Sequence, residues 1–87
     1  MSEPGLLSFP CEFPIKVMGR TRAGYAQAIV EVVRRHAPDF DPATLEMRAS
    51  RQGKYLSLTL TVHAVSQEQL DALYRELCDH PMVEMVL

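Results

Sequence analysis

Two groups of residues in the 87-residue chain have the types and spacing to do chemistry. The run Gly19-Arg20-Thr21-Arg22-Ala23-Gly24 leads directly into a helical pattern that begins at Tyr25. Free amides at a helix N-terminus carry partial positive charge, arginines add full charges, and glycine lets a ligand approach the backbone. Arg20, Thr21, Arg22 and Gly24 are therefore candidate anion-binding residues, suited to a phosphate or a carboxylate. The second group is Lys16, Arg48, Lys54, Tyr55, Ser57 and Thr59, polar positions in or beside extended segments, where they would form an interaction surface. No catalytic residue is assigned. Neither a Ser-His-Asp nor a Cys-His arrangement follows from the spacing, and the chain has no asparagine with which to orient an attacking water as acylphosphatases do.

Other functions are excluded by what the residues lack. Cys11 and Cys78 are isolated, and His36, His63 and His80 share no ligand spacing, so no metal or cofactor is expected. Nucleic acid is an unsuitable partner, because the net charge is −2, the pI is about 5.8, and the third strand offers Ser57, Thr59 and Thr61 where an RNA-binding sheet needs aromatic platforms. The N-terminal residues lack the basic start and apolar run of a secretory signal, and no stretch approaches the roughly 18 apolar residues of a membrane span. The expectation is a cytoplasmic protein with no membrane partner and with reduced, unpaired cysteines. Arg34-Arg35, at the end of the first helix, complements the helix C-terminus on a solvated face.

The elements that would carry these residues are legible from periodicity. Residues 1–8 read as a flexible tail, and Leu6, Leu7 and the adjoining Phe9 could dock on the core. Phe13, Ile15 and Val17 alternate with Pro14, Lys16 and Met18 as a first strand, broken at Gly19. From Tyr25 to Ala37 the period becomes helical, with Ala26, Ile29, Val30, Val33 and Ala37 as the apolar stripe and Pro38 as the stop. Asp39–Thr44 is a loop, and Leu45, Met47 and Ala49 alternate with charged and polar residues as a half-buried strand before a turn at Gln52-Gly53. Tyr55–His63 is the clearest strand, with Leu56, Leu58, Leu60 and Val62 on one face. Ser66 with Gln69 reads as a capping box, Leu70, Leu73, Tyr74 and Leu77 form the stripe of a helix running to about Asp79, and Met82–Leu87 is a last short strand.

The order βαββαβ predicts an α+β fold over residues 9–87: a ferredoxin-like sandwich with a four-stranded antiparallel sheet and two helices on one face. Right-handed crossovers and a hairpin at Gly53 give the spatial order 4-1-3-2. The uncovered sheet face would carry Lys16, Met18, Glu46, Arg48, Ser57, Thr59, Thr61, His63, Glu84 and Val86. Glu46 and Glu84 would balance Lys16 and Arg48 there, leaving a roughly neutral surface.

Several segments together resemble a known family. They are Phe9-Pro10, Phe13-Pro14-Ile15-Lys16-Val17-Met18-Gly19, Val30-Glu31-Val32-Val33-Arg34-Arg35-His36-Ala37-Pro38, Gly53-Lys54-Tyr55 with Ser57, Leu73-Tyr74-Arg75-Glu76-Leu77, and Met85-Val86-Leu87. Their combination is similar to the YbeD-like family of small uncharacterised bacterial proteins. The resemblance implies a domain like the ACT-type regulatory domains that sense amino acids in metabolic enzymes. It does not imply an enzyme, and it suggests a regulatory or accessory role around lipoate attachment or glycine cleavage. By the same resemblance, an effector site falls at the turn after the first strand, where Gly19 and Gly24 stand.

The functional expectation is a small non-catalytic regulatory or adaptor domain that binds a small anionic metabolite or a partner protein. The alternatives are a small enzyme acting on an anionic or acyl-phosphate substrate at Arg20 and Arg22, and a protein-interaction module using the open sheet face.

Overall fold

An extended segment that alternates apolar with polar residues is stable only as a sheet with one face covered, and an amphipathic helix supplies that cover. The computed structural model, which describes residues 8–87, realises this arrangement. Strands β1 (Cys11–Arg20), β2 (Glu46–Ala49), β3 (Tyr55–Ala64) and β4 (Met85–Val86) form one antiparallel sheet in the order β2-β3-β1-β4, as expected. Helices α1 (Tyr25–His36) and α2 (Gln67–Asp79) cover one face. Of the tail expected at residues 1–8, residues 1–7, with Leu6 and Leu7 among them, lie outside the described residues. Ser8 is exposed and Phe9 packs against the core.

The core lies between sheet and helices. Ile15 and Val17 of β1, Leu58, Leu60 and Val62 of β3, Ile29 and Val33 of α1, and Leu73 and Leu77 of α2 are all fully buried. Phe13 meets Tyr74 edge-on, with ring centroids 6.4 Å apart. At the start of α2 the Ser66 hydroxyl accepts from the Gln69 amide at 3.0 Å. The Gln69 side chain reaches back to the Val65 amide at 2.7 Å, one residue earlier than a reciprocal capping box requires, and its NH2 group donates to the His36 carbonyl. One glutamine therefore caps α2 and ties it to the end of α1.

Five features depart from expectation. β1 runs through Gly19, which pairs with Leu56, because a side chain there would collide with the Met82 carbonyl oxygen and the Tyr25 ring. Gly19 is in the strand for closeness of approach and does not break it. The α1 stripe is rotated toward Tyr25 and Val32, both buried, while Ala26 and Val30 are only half-buried. β2, at the edge of the sheet, is exposed along its whole length, with Met47 61% accessible. The Asp39–Thr44 loop contains a 3-10 turn (Pro42–Thr44) capped by Asp41 and sends Phe40 into the core.

The fifth departure bears on function. β4 pairs Val86 with Val17 and Met85 with Met18, so Val86 faces the helices. The Glu84 amide donates to the Met18 carbonyl, and Leu87 exchanges backbone hydrogen bonds with Lys16. Alternation therefore puts Met85 and Leu87 on the open face in place of Val86.

Candidate functional site

The two groups of polar residues meet at one end of the sheet. β1 ends at Arg20, whose register partner is Tyr55, so both side chains project from the open face. There the guanidinium carbon of Arg20 lies 5.8 Å from the Tyr55 ring centroid. The Thr21 amide donates to the Lys54 carbonyl at 2.8 Å and the Tyr25 amide to the Arg22 carbonyl at 3.2 Å. Gly24 is the N-cap of α1 with φ of +82°, a conformation that excludes most other residues, and no side chain caps this helix. Among the described residues, the Ala26 and Gln27 amides have no acceptor. The candidate turn is thus divided. Arg20 belongs to the sheet face, the Thr21 amide is used internally, and Arg22 and Gly24 stay exposed at the helix start.

On the open face the cross-strand rows are Lys16–Thr59–Glu46, then Met18–Ser57–Arg48, then Arg20–Tyr55. Lys16, Arg48, Ser57 and Thr59 line a shallow depression of about 390 Å³ together with Glu46 and Met47. Lys16, Met18, Arg48, Tyr55, Ser57 and Leu87 line an adjoining one of about 330 Å³. Lys54 stands beside Tyr55 at the hairpin, next to Ser50, Arg51 and Gln52. All six residues of the expected interaction surface therefore border this region. Glu84, in the bend before β4, lines neither depression. Within these three rows Lys16, Arg20 and Arg48 face the single carboxylate of Glu46, around the exposed Met85 and Leu87.

The opposite end of the face is acidic. Glu12 pairs in register with His63, whose Nδ1 lies 3.1 Å from the Glu12 carboxylate, and Asp39 and Asp41 border the same hollow. His36 Nε2 is 2.7 Å from Glu76, and His80 Nδ1 accepts from the Met82 amide at 3.1 Å, so each histidine is engaged in a different place. Among the described residues no three His, Cys, Asp or Glu side chains are grouped to hold a metal. Cys11 is a half-buried free thiol and Cys78 an exposed one.

Two titratable groups are perturbed away from this face. Hydrogen bonds from Arg35, and then from His36, hold the Glu76 carboxyl below its ordinary range and link α1 to α2. Arg35, expected to be a solvated helix-end charge, is the outer half of that link. Burial pushes the Tyr25 hydroxyl up to about 12, and the hydroxyl has no hydrogen-bond partner. No sequence signal marked Glu76, since the pairing joins positions 41 residues apart. Met85 and Leu87 were equally concealed, because Met82–Leu87 is apolar at almost every position and shows no alternation.

Comparison with known proteins gives a concordant result. A family model described as a protein of unknown function (DUF493) matches residues 4–87. A UPF0250 protein of Nitrosomonas europaea is 54% identical over 87 residues, covering 100% of both chains. A UPF0250 protein of Bordetella pertussis is 55% identical over 85 residues, covering 98% of this chain and 93% of its own. Among solved structures, the fold is similar to that of protein HP0495 from H. pylori, with a TM-score of 0.78 at 16% identity, covering 99% of this chain and 90% of that one. It is also similar to the ACT domain from the GTP pyrophosphokinase of Chlorobium tepidum, with a TM-score of 0.65 at 19% identity, covering 87% and 84%. Among the described residues, no helix is long and apolar enough to cross a membrane.

Proposed function

Because this chain belongs to the DUF493 family of UPF0250, YbeD-like proteins, and folds like an ACT domain, we propose that it is a small non-catalytic regulatory domain. Its effector, on this proposal, is a small anionic molecule with an apolar part, held on the open face of the sheet. The observation that carries the reading is the phase of β4, which supplies Met85 and Leu87 to that face beside the cations of β1. An acid group would sit toward Lys16 and Arg20, and its apolar part would cover Met18 and Leu87. The depression of about 330 Å³ has the size of a small-molecule site, and its shallowness favours weak binding. Lipoate, a carboxylate on an apolar chain, has this chemistry and agrees with the link to lipoate metabolism implied by the family resemblance.

A second reading places the anion at the start of α1, as expected from Arg22 and Gly24. It is favoured by the Ala26 and Gln27 amides, which have no acceptor. Titration calorimetry of the wild type, of Lys16→Ala with Arg20→Ala, and of Arg22→Ala with lipoate, octanoate and inorganic phosphate separates the two. Loss of lipoate and octanoate binding in the Lys16/Arg20 variant, with Arg22→Ala unaffected, supports the sheet face. The reverse pattern, with phosphate as the better ligand, supports the helix start. Absence of heat with every probe overturns the small-anion proposal.

A further inference from the structure

Charge is segregated along this chain. No Asp or Glu occurs between Glu12 and Glu31, nor between Glu46 and Glu68, although the sequence holds 11 acids. Those two runs carry Lys16, Arg20 and Arg22, and Arg48, Arg51 and Lys54, which are six of the nine Lys and Arg residues. Pairing of β1 with β3, and of β3 with β2, brings both runs to one end of the sheet. All six cations are exposed, and none has an ion-pair partner among the described residues. Glu84, whose amide meets the Met18 carbonyl, pairs with none of them. The first turn of α1, which opens at the same end, contains no acid.

The backbone holds this basic end in shape. The bond from the Thr21 amide to the Lys54 carbonyl, 2.8 Å, joins the turn after β1 to the hairpin between β2 and β3. The hairpin is closed by the Ser50 amide on the Tyr55 carbonyl at 2.8 Å and by the Tyr55 amide on the Ser50 hydroxyl at 3.1 Å. Gly53, at φ of +75°, donates its amide to the Ser50 carbonyl at 2.9 Å and turns the chain. Tyr55, 41% exposed, stands at the centre of the cations. Arg20 lies over its ring, Arg51 and Lys54 share a hollow of about 230 Å³ with it, and Arg48 shares the adjoining depression.

We infer that this end of the domain is a docking surface for a short acidic segment of a partner protein. Its carboxylates would meet the arginines and Lys54, and an apolar residue between them would rest on Tyr55. The size of the surface sets the length of the segment. From the Arg20–Tyr55 row to the Lys16–Thr59–Glu46 row the strands advance about 13 Å, the reach of roughly four extended residues. Beyond Lys16 the face turns acidic, through Glu46 and then Glu12, Asp39 and Asp41. A nucleic acid, whose charge continues in both directions, would run onto those carboxylates. In these rows it would also find one aromatic ring, Tyr55, with Arg20 already over it. The surface is independent of the proposed effector, because Arg51 and Lys54 lie outside the depression lined by Lys16, Met18 and Leu87.

The test uses the full chain and a five-residue peptide, two glutamates on either side of a phenylalanine with both ends blocked. Binding is followed by fluorescence anisotropy of the labelled peptide and by the amide chemical shifts of the protein. At about 50 mM salt the wild type is expected to bind with a Kd below about 1 mM, and about fivefold more weakly at about 300 mM salt. The largest shifts are expected at Arg20–Arg22 and Ser50–Tyr55. Arg51→Gln with Lys54→Gln should weaken binding about tenfold, whereas Arg51→Lys with Lys54→Arg should bind like the wild type. The same peptide with glutamines in place of its glutamates should not bind, which tests the charge requirement on the unaltered protein. Absence of binding by the acidic peptide up to about 1 mM overturns the inference. So does equal binding by the glutamine peptide or by the Arg51→Gln, Lys54→Gln variant. A ten-nucleotide single-stranded RNA that binds more tightly than the acidic peptide overturns it in favour of nucleic acid.

Discussion

Replacing Gly19 by alanine tests the packing that fixes β4 and, through it, the composition of the open face. The added methyl falls well inside contact distance of the Met82 carbonyl oxygen and 2.9 Å from two carbons of the Tyr25 ring. Ordinary carbon contacts are about 3.5–4.0 Å, so the ring must retreat by roughly 0.6–1 Å and the Met82 backbone by at least as much. Tyr25 is fully buried and starts α1, so it has little freedom to move. Overpacking of this kind costs roughly 1–3 kcal/mol. Moving Met82 also strains the bond from the Glu84 amide to the Met18 carbonyl, 2.8 Å long, worth about 1 kcal/mol. The expected loss is therefore about 2–4 kcal/mol, against the roughly 4–13 kcal/mol available to a domain of this length. Urea unfolding measures the total, and amide exchange at Glu84 and Leu87 reports whether β4 loosens. Wild-type stability with unchanged exchange at both amides would mean that residue 19 has room for a side chain and does not fix β4.

Three further outcomes follow from the same packing. Leu58→Ala or Leu60→Ala should cost about 2–5 kcal/mol, because both side chains are fully buried, whereas Thr59→Ala should cost under about 1 kcal/mol, and urea midpoints showing equal effects would reverse the assigned faces. Tyr25→Phe removes a buried hydroxyl that has no partner and should leave stability unchanged or raise it by up to about 1–3 kcal/mol; a clear loss would mean that the hydroxyl is bonded in solution. Glu76 has a lower pKa folded than unfolded, so its stabilisation is fully present above the ordinary carboxylate range and is lost as pH falls through the folded value. Thermal melts should accordingly show Glu76→Gln less stable than the wild type near neutrality and indistinguishable from it in acid, and a gap independent of pH would sink the assignment.

What the sequence disclosed depended on whether a signal was local. The alternation Leu56, Leu58, Leu60, Val62 against Ser57, Thr59, Thr61 specifies both faces of β3 by itself, and the helices announce their stripes and stops in the same way. Four features needed information from far along the chain. Gly19 continues β1 because Tyr25 and Met82 come close to it, and nothing near residue 19 says so. Phe40 is buried by where the loop lands. Met47 alternates like a half-buried residue, yet on the edge strand it stays exposed although it shares the face of the buried Leu58. β4 has two residues and an apolar sequence on both faces, so its phase came only from pairing with β1. The candidate surface was correspondingly half legible: its polar members on β1, β2 and β3 were in place, and the apolar members from β4 were not.

The central claim is that the open sheet face, centred on Lys16, Met18 and Arg20, is the effector surface. Amide chemical-shift mapping of the full chain during a lipoate titration tests it most directly. The largest shifts are expected at Lys16–Arg20, Tyr55–Thr59 and Met85–Leu87, and they should shrink in the variant carrying Lys16→Ala and Arg20→Ala. Shifts confined to Arg22–Gln27, with the β3 and β4 amides unmoved, would contradict the claim.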